Sequence, residues 1–198
     1  MPQQTTRQRS IEITDPRALR ALAHPTRLEL IGLLRRSGPL TATQAGEQIG
    51  ASAASCSFHL RQLAKYGLVE EAGGGRGRER PWQATANFTE WPLRDSLGGH
   101  HEVGALLSRV VIERYFQAAL AWLDREPSEP PAWAEAATDG DAILYLTAEE
   151  LVALNEQVTA LLEPFLERLE DPATRPPDAR PVEFIRLAFP IAGAGERD

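Results

Sequence analysis

The chain has 198 residues, of which 42% are hydrophobic, and its net charge is −7. This length and apolar content suffice for one large or two small domains with a real core. The single cysteine excludes an internal disulfide framework, and no run approaches ~18 apolar residues, so we expect neither a spanning helix nor a membrane partner. The N-terminus lacks the apolar region of a secretory signal, which predicts a cytoplasmic protein.

The first predicted elements are a polar arm and a helix. Residues 1–14 are mostly polar, and we expect them to form a flexible arm. From Pro25 onwards, apolar residues recur every three to four positions, which predicts a helix with a broad buried face. Proline suits the first helical turn, and the Gly-Pro pair at 38–39 ends the helix. Near its end, Arg35 and Arg36 either contact phosphates or only solubilise the helix.

Two more helices follow, joined by a short turn. Residues 41–50 open with Thr41 and Gln44 at capping-box spacing and close on a glycine, so this helix has only about two turns. Ser52 then caps a helix that runs to about Tyr66, with a narrow apolar stripe and a face of small hydroxyls, His and Arg. Such a face suits the major groove of DNA, where small side chains allow close approach and polar ones meet base edges or phosphates.

A β-hairpin is predicted after the third helix. Its short extended runs, LVEEA and RPWQATA, are separated by GGGRGRE. Glycines let such a loop lie close to a backbone, and arginines in it can neutralise phosphates or enter a minor groove. The helices and the hairpin together outline a winged helix-turn-helix domain over residues 15–90, with the hairpin as the wing.

Two motifs in this segment are specific. The first motif, A-H-P-T-R-L, lies at the start of the helix at Pro25. The second motif, S-F-H-L…G-L-V, runs from Ser57 to Val69. With these motifs, residues 15–85 resemble the DNA-binding core of the ArsR/SmtB-type bacterial regulators. The resemblance implies a homodimer that binds a pseudo-palindromic operator in double-stranded DNA, usually to repress, through the helix at 52–66. The chain departs from metal-sensing members, because the short helix before recognition carries no cysteine.

The predicted DNA contacts lie on the recognition helix and on the wing. The candidate residues are Ser52, Ala54, Ser55, Ser57, Phe58, His59 and Arg61 of the helix and Arg76, Arg78 and Arg80 of the wing. The charge distribution supports this placement, since residues 1–90 hold 12 Lys+Arg against 8 Asp+Glu, net +4, and residues 91–198 hold 9 against 20, net −11. A basic module joined to an acidic one is expected when only the first touches phosphates.

The second half is predicted to begin with a long linking helix in residues 91–126. One apolar stripe runs through Val103 and Leu107, and a second runs through Phe116 and Leu123. Each apolar stripe must pack against a different partner to be buried. One partner is the winged-helix body, and the other is a second subunit or the C-terminal domain.

Residues 127–198 are predicted to form a small α/β domain after a Pro-rich connector. The strand DAILYLT, a helix capped by Thr147 and Glu150, and the strand ARPVEFIRLAFPI follow one another. Two strands alone are marginal, so we expect them to pair beneath the helix or to join those of another subunit. The whole chain is then of the α+β class, mainly α.

The C-terminal domain has two alternative roles. It either only dimerises or also binds an apolar small-molecule effector in a pocket shared with the long helix. The candidate pocket residues are Trp122, Trp133, Tyr145, Phe165 and Phe184. The alternative is that these side chains simply form the core or the dimer interface.

No catalytic constellation is recognisable, since the chain has no G-x-S-x-G, H-E-x-x-H or P-loop, so we expect no enzyme, no catalytic residue and no cofactor. The triplet at 100–102 is a poor metal site, because adjacent helical residues point ~100° apart, and we expect no metal. Cys56 is a core residue or a redox switch, and His24 a packing or capping residue. The competing function is a protein-interaction adaptor that keeps the winged-helix fold without binding an operator.

Overall fold

The computed structural model describes residues 8–73, 75, 80–91 and 101–191. Within these ranges the chain is mainly helical, with two small two-stranded sheets, which confirms the predicted mainly α, α+β class. The elements in chain order are β1 (Gln8–Glu12), α1 (Pro16–Leu22), α2 (Pro25–Ser37), α3 (Ala42–Ile49), α4 (Ala53–Ala64), β2 (Val69–Glu71), β3 (Trp82–Ala84), β4 (Ala86–Glu90), α5 (His101–Arg125), α6 (Pro131–Ala136) and α7 (Ala148–Glu170). Short 3-10 turns follow α5 and α7.

The N-terminal segment is a strand rather than a flexible arm. β1 pairs in parallel with β4, with Ser10 opposite Phe88, and the N–H of Ile13 donates to the carbonyl of Glu90 at 2.8 Å. Ile13 is buried while the residues on either side of it are exposed, as expected for extended chain with one covered face. The predicted arm over residues 1–14 is therefore wrong for residues 8–14, and residues 1–7 lie outside the described ranges.

The predicted capping signals begin and end the next three helices. Pro25 is the first residue of α2, and Gly38 follows its last residue. At α3, the Thr41 hydroxyl accepts from the N–H of Gln44 at 3.2 Å, and the Gln44 side chain accepts from the N–H of Thr41 at 2.8 Å, which completes the capping box. At α4, the Ser52 hydroxyl accepts from the N–H of Ser55 at 3.2 Å.

The turn between α3 and α4 depends on two glycines. Gly50 ends α3 in the left-handed conformation, with φ at 67°, which a residue with a side chain adopts only at a cost. Gly46 approaches the turn so closely that a Cβ on it would overlap the carbonyl oxygen of Ala51. These glycines therefore fix the angle at which α4 leaves α3.

The core lies among α1, α2, α4, the hairpin and the first half of α5. Val103, Leu107 and Val111 of α5 are buried, and α5 packs on α1 and α2. The first predicted stripe of the long helix thus packs against the winged-helix body, as expected. The largest fully buried side chains are Leu19, Leu22, Leu30, Leu33, Leu34, Leu60, Leu63, Leu68, Leu107, Val69 and Cys56.

The C-terminal segment forms its predicted helix but not its predicted strands. α7 begins with the Thr147–Glu150 capping box and contains Pro164. DAILYLT and ARPVEFIRLAFPI have neither helix nor strand within this single chain, so the two segments do not pair with each other beneath the helix. The alternative, that they join the strands of another subunit, stays a prediction. The physical reason is a missing neighbour, because among the described residues no backbone–backbone hydrogen bond involves residues 140–146 or 180–191.

Candidate nucleic-acid interface

The outer face of α4 carries exposed side chains along a single line. Ala54, Phe58, Arg61 and Lys65 are all exposed, and their spacing of four, three and four residues places them on one side of the helix. We call these four residues the recognition stripe. Phe58 is 53% exposed, so its ring is available to a molecule that approaches this face of α4.

The opposite face of α4 anchors the helix. Cys56, Leu60 and Leu63 are fully buried, and they fix the rotation of α4 about its own axis. Because these three side chains point inward, the recognition stripe must point outward. Lys65, the C-cap of α4, was not among the predicted contacts. Its position four residues after Arg61 is the signal that could have identified it.

The three serines at the start of α4 divide between capping and partial burial. Ser52 is exposed, but its hydroxyl caps the helix. Ser55 and Ser57 are half-buried. The small side chains around them let another molecule come close to this end of the helix.

His59 lies beside the recognition stripe, against α2. Its ring centroid is 4.7 Å from that of His24, the N-cap of α2, and 5.3 Å from that of Phe58. The Nδ1 atoms of both histidines are buried and have no hydrogen-bond partner among the described residues. Both rings therefore pack between α2 and α4, as predicted for His24. The structure does not place His59 with the DNA contacts predicted for it, because it sits on the flank that α2 covers.

Burial and nearby positive charge lower the pKa values of these two histidines. Desolvation lowers the pKa of His59, and the charges of His24 and Arg27 lower it further. The pKa of His24 is lowered by desolvation and by Arg27. A protonated imidazole at this position would be partly desolvated and next to a guanidinium.

The wing forms as an antiparallel hairpin, as predicted. Val69 lies opposite Ala84 and Glu71 opposite Trp82. Where the two strands meet the loop, Arg80 pairs with Glu71 at 2.9 Å. Both side chains are largely exposed, and an exposed ion pair of this kind is worth less than about 1 kcal/mol, so it leaves Arg80 available to a phosphate. Arg76 and Arg78 lie outside the described residues.

Arg35 has a structural role that neither sequence alternative anticipated. Its Nε donates to the carbonyl of Ala86 at 3.0 Å, and its guanidinium donates to the Thr89 hydroxyl at 2.6 Å. Both acceptors belong to β4, so Arg35 fastens α2 to the small parallel sheet. Arg36, the next residue, is exposed.

The five candidate pocket residues are exposed or lie against arginine side chains. Trp122 and Trp133 are linked through the ion pairs of Glu129 with Arg125 and Arg180. Tyr145 is 98% exposed. The rings of Trp122, Trp133 and Phe165 each lie under a different arginine, at 5.3, 4.9 and 5.1 Å from the guanidinium to the ring centroid. The two best-formed concavities of the described residues are an open groove of about 570 Å³ along α7 and one of about 340 Å³ between β1 and the end of α4. None of the five lines either groove, and the predicted apolar pocket stays a prediction.

Cys56 is a core residue rather than an exposed thiol. It is fully buried, and burial raises the pKa of its thiol, as does the nearby charge of Glu29. Within the described ranges, no three His, Cys, Asp or Glu side chains are placed to hold a metal ion. His100 lies outside those ranges. In the part of the chain that the structure describes, no helix is both long and apolar enough to cross a membrane.

Comparison with known proteins identifies the segment that carries the recognition stripe. Residues 22–72 match a family model described as a helix-turn-helix domain. The match runs from the end of α1 to just past β2, and it includes the glycine turn and the whole of α4. No match was found among curated proteins. The chain therefore contains a helix-turn-helix domain, and a domain of this type supports a role in DNA-binding transcription regulation.

Proposed function

We propose that this protein is a sequence-specific transcriptional regulator that binds a pseudo-palindromic DNA operator as a homodimer. The observation that carries the proposal is the recognition stripe. An exposed aromatic side chain and two cations lie along one outward line of α4, in the segment that matches the helix-turn-helix model. No catalytic step and no cofactor are needed for this function.

Each member of the stripe suits a known kind of contact in the major groove. Arg61 can donate two hydrogen bonds to a guanine edge, and Lys65 can meet a phosphate. Phe58 offers an apolar surface for a thymine methyl group, and Ala54 is small enough to let the helix approach the bases. We infer that Arg61 and Phe58 discriminate between sequences and that Lys65 mainly adds affinity.

The charge distribution is compatible with DNA binding despite the acidic total. Residues 1–90, which include α4 and the wing, have a net charge of +4, while residues 91–198 have a net charge of −11. Attraction to phosphates depends on the local charge, and screening confines it to about 10 Å at moderate salt. We propose that the acidic half faces away from the duplex.

The sign of regulation and the operator symmetry are supported by the resemblance to ArsR/SmtB-type regulators. That resemblance favours repression by a homodimer. A homodimer places two copies of α4 in successive major grooves, so the half-sites should lie about 34 Å apart, one duplex turn.

The proposal is tested by measuring affinity for DNA upstream of the gene against shuffled DNA over a range of salt concentrations. A regulator should bind the specific fragment with a Kd of roughly 10⁻⁸ M or below. Lys65→Ala should weaken binding to both fragments and reduce the salt slope by about 1. Arg61→Ala should cost about 1–3 kcal/mol on the specific fragment alone. Arg175→Ala is the matched control, because it removes one positive charge from the exposed turn after α7.

Two results would contradict the proposal. Equal affinity for both fragments would remove sequence-specific recognition. Equal effects of Arg61→Ala and Arg175→Ala would show that only net charge matters and that α4 does not enter the groove. If the protein bound no DNA at all, the protein-interaction adaptor would be the better account of the exposed stripe.

A further inference from the structure

The second half of the chain has no core of its own. Val111 is the last buried residue, and no residue described from 112 to 191 is buried. Many large apolar side chains of this stretch are exposed instead, on two helices and in two irregular segments. The C-terminal apolar surface, as we name it, comprises Phe116, Leu120 and Leu123 of α5, Leu161 and Phe165 of α7, residues 143–146 before α7, and Val182, Phe184, Leu187, Phe189 and Ile191 after it. A stable monomer rarely leaves so much apolar surface in water.

The total accessible surface also exceeds that of a compact single copy. The chain exposes 14668 Å², whereas a compact monomer of 21.8 kDa exposes about 9,300 Å². The difference of about 5,400 Å² applies to the whole chain, and the uncovered residues after Val111 contribute to it. Obligate dimers bury roughly 2,000–5,000 Å² in total. An interface of that size covers about 1,000–2,500 Å² of each copy, less than half of the difference.

The two irregular segments expose backbone as well as side chains. ILYL at 143–146 and VEFIRLAF at 182–189 are nearly continuous apolar runs, typical of strands that are covered on both faces. Neither has a backbone hydrogen-bond partner among the described residues. Each unpaired amide or carbonyl group must find a partner before such a run can be buried.

Ion pairs already hold the second of these segments in place. Arg180 pairs with Glu129 at 2.8 Å, and Glu183 pairs with Arg114 of α5 at 2.7 Å. The apolar side chains beside these anchors, Val182 and Phe184, remain 71% and 64% exposed. The segment therefore lies along its own helices while its apolar side chains and its backbone are free to receive another strand.

We infer that a second copy of this chain covers the C-terminal apolar surface, and that residues 141–146 and 181–187 become strands of a sheet built from both copies. The inference rests on the homodimer of the proposed function and specifies where the copies meet. In a symmetric dimer, each copy must present the same surface to the other. Each chain here presents two apolar segments and two uncovered helix faces, so two copies together can enclose one shared core. The half up to Val111 has its own buried core.

A small molecule is a poor alternative occupant. Ligand sites enclose most of one compact molecule in a single concavity. Here the exposed apolar side chains are spread over two helices and two segments, and the main groove on α7 is open to one side. A second copy covers all four parts at once.

The test is sedimentation equilibrium of the full chain without DNA, from nanomolar to micromolar concentration. The wild type should dimerise, and Phe165→Asp should raise the dimer dissociation constant at least about 100-fold, because two carboxylates are buried per dimer. Ala153→Asp is the matched control. It adds the same charge to an exposed position about 120° around the same helix, and it should leave the dissociation constant within a few fold.

Hydrogen exchange of the wild-type protein tests the sheet without any substitution. Amides of residues 141–146 and 182–187 should be protected in the dimer and lose that protection on dilution into monomer, while α2 and α4 stay protected. A wild type that remains monomeric, a dimer that tolerates Phe165→Asp, or strand amides protected in the monomer would each overturn the inference. If the wild type is monomeric but still discriminates between DNA fragments, this interface is refuted while sequence recognition by α4 is retained.

Discussion

Replacing Gly46 by alanine tests what sets the angle between α3 and α4. A Cβ at this position would overlap the carbonyl oxygen of Ala51, a backbone atom that cannot rotate away. Helix propensity alone favours alanine over glycine by about 1 kcal/mol, whereas overpacking costs roughly 1–3 kcal/mol. Because the obstacle is backbone, we expect the larger end of that cost, and the free energy of unfolding should fall by about 1–2 kcal/mol.

Gly32 provides the matched control, because it also lies inside a helix but faces open space. A Cβ there would meet only the Arg36 guanidinium, at 3.6 Å, an ordinary contact with the end of a flexible side chain. Gly32→Ala should therefore raise the free energy of unfolding by up to about 1 kcal/mol. Urea denaturation followed by circular dichroism measures both changes.

The DNA affinity of the same two variants separates stability from geometry. If the turn orients α4, Gly46→Ala should weaken specific binding even at temperatures where the protein is fully folded, and Gly32→Ala should not. The reasoning is refuted if the two alanine variants are equally stable, since the overlap with Ala51 would then have no energetic consequence.

Three further predictions concern side chains around the helix-turn-helix core. The lowered pKa values of His24 and His59 mean that the unfolded chain takes up protons first, so stability should be lost as the pH falls below about 6.5; urea titrations of the double His→Gln variant should show a flatter pH dependence. Arg35→Lys should cost about 1–2 kcal/mol of stability by losing the two contacts with β4, and a reduced salt slope of DNA binding would instead reassign Arg35 to a phosphate. Cys56 should react with a thiol reagent only as fast as the domain opens, and immediate labelling of the native protein would contradict its burial.

The helices of the first half could be predicted because their signals are local. The capping box at Thr41 and Gln44, the cap at Ser52 and the proline at the start of α2 each act within one turn of helix, so sequence spacing alone specifies them. The pairing of β1 with β4 is different. Two five-residue strands separated by more than 70 residues in the chain share no spacing rule, and the two isoleucines of the N-terminal segment gave only a weak alternation.

The sequence located the helix α4 but not the rotation that decides which of its side chains are exposed. Motif spacing identified the helix, yet which side chains point outward depends on the rotation that its buried residues impose. With Cys56, Leu60 and Leu63 inward, the exposed line must run through Phe58 and Arg61. His59 is three residues after Cys56 and four before Leu63, so it lies at the edge of the buried face, where its ring contacts His24.

The C-terminal half shows a limit that periodicity cannot overcome. The two stripes of α5 predicted two partners; Val103 and Leu107 pack within the chain, while Phe116 and Leu123 stay exposed. An apolar pattern predicts that a helix face will be covered. It does not predict whether the covering residues belong to the same chain or to a second copy. If a second copy covers it, α5 becomes the rigid element that joins each winged-helix body to the dimer core. A change in the packing of Phe116 then alters the separation of the two α4 helices, and operator binding depends on residues far from any phosphate.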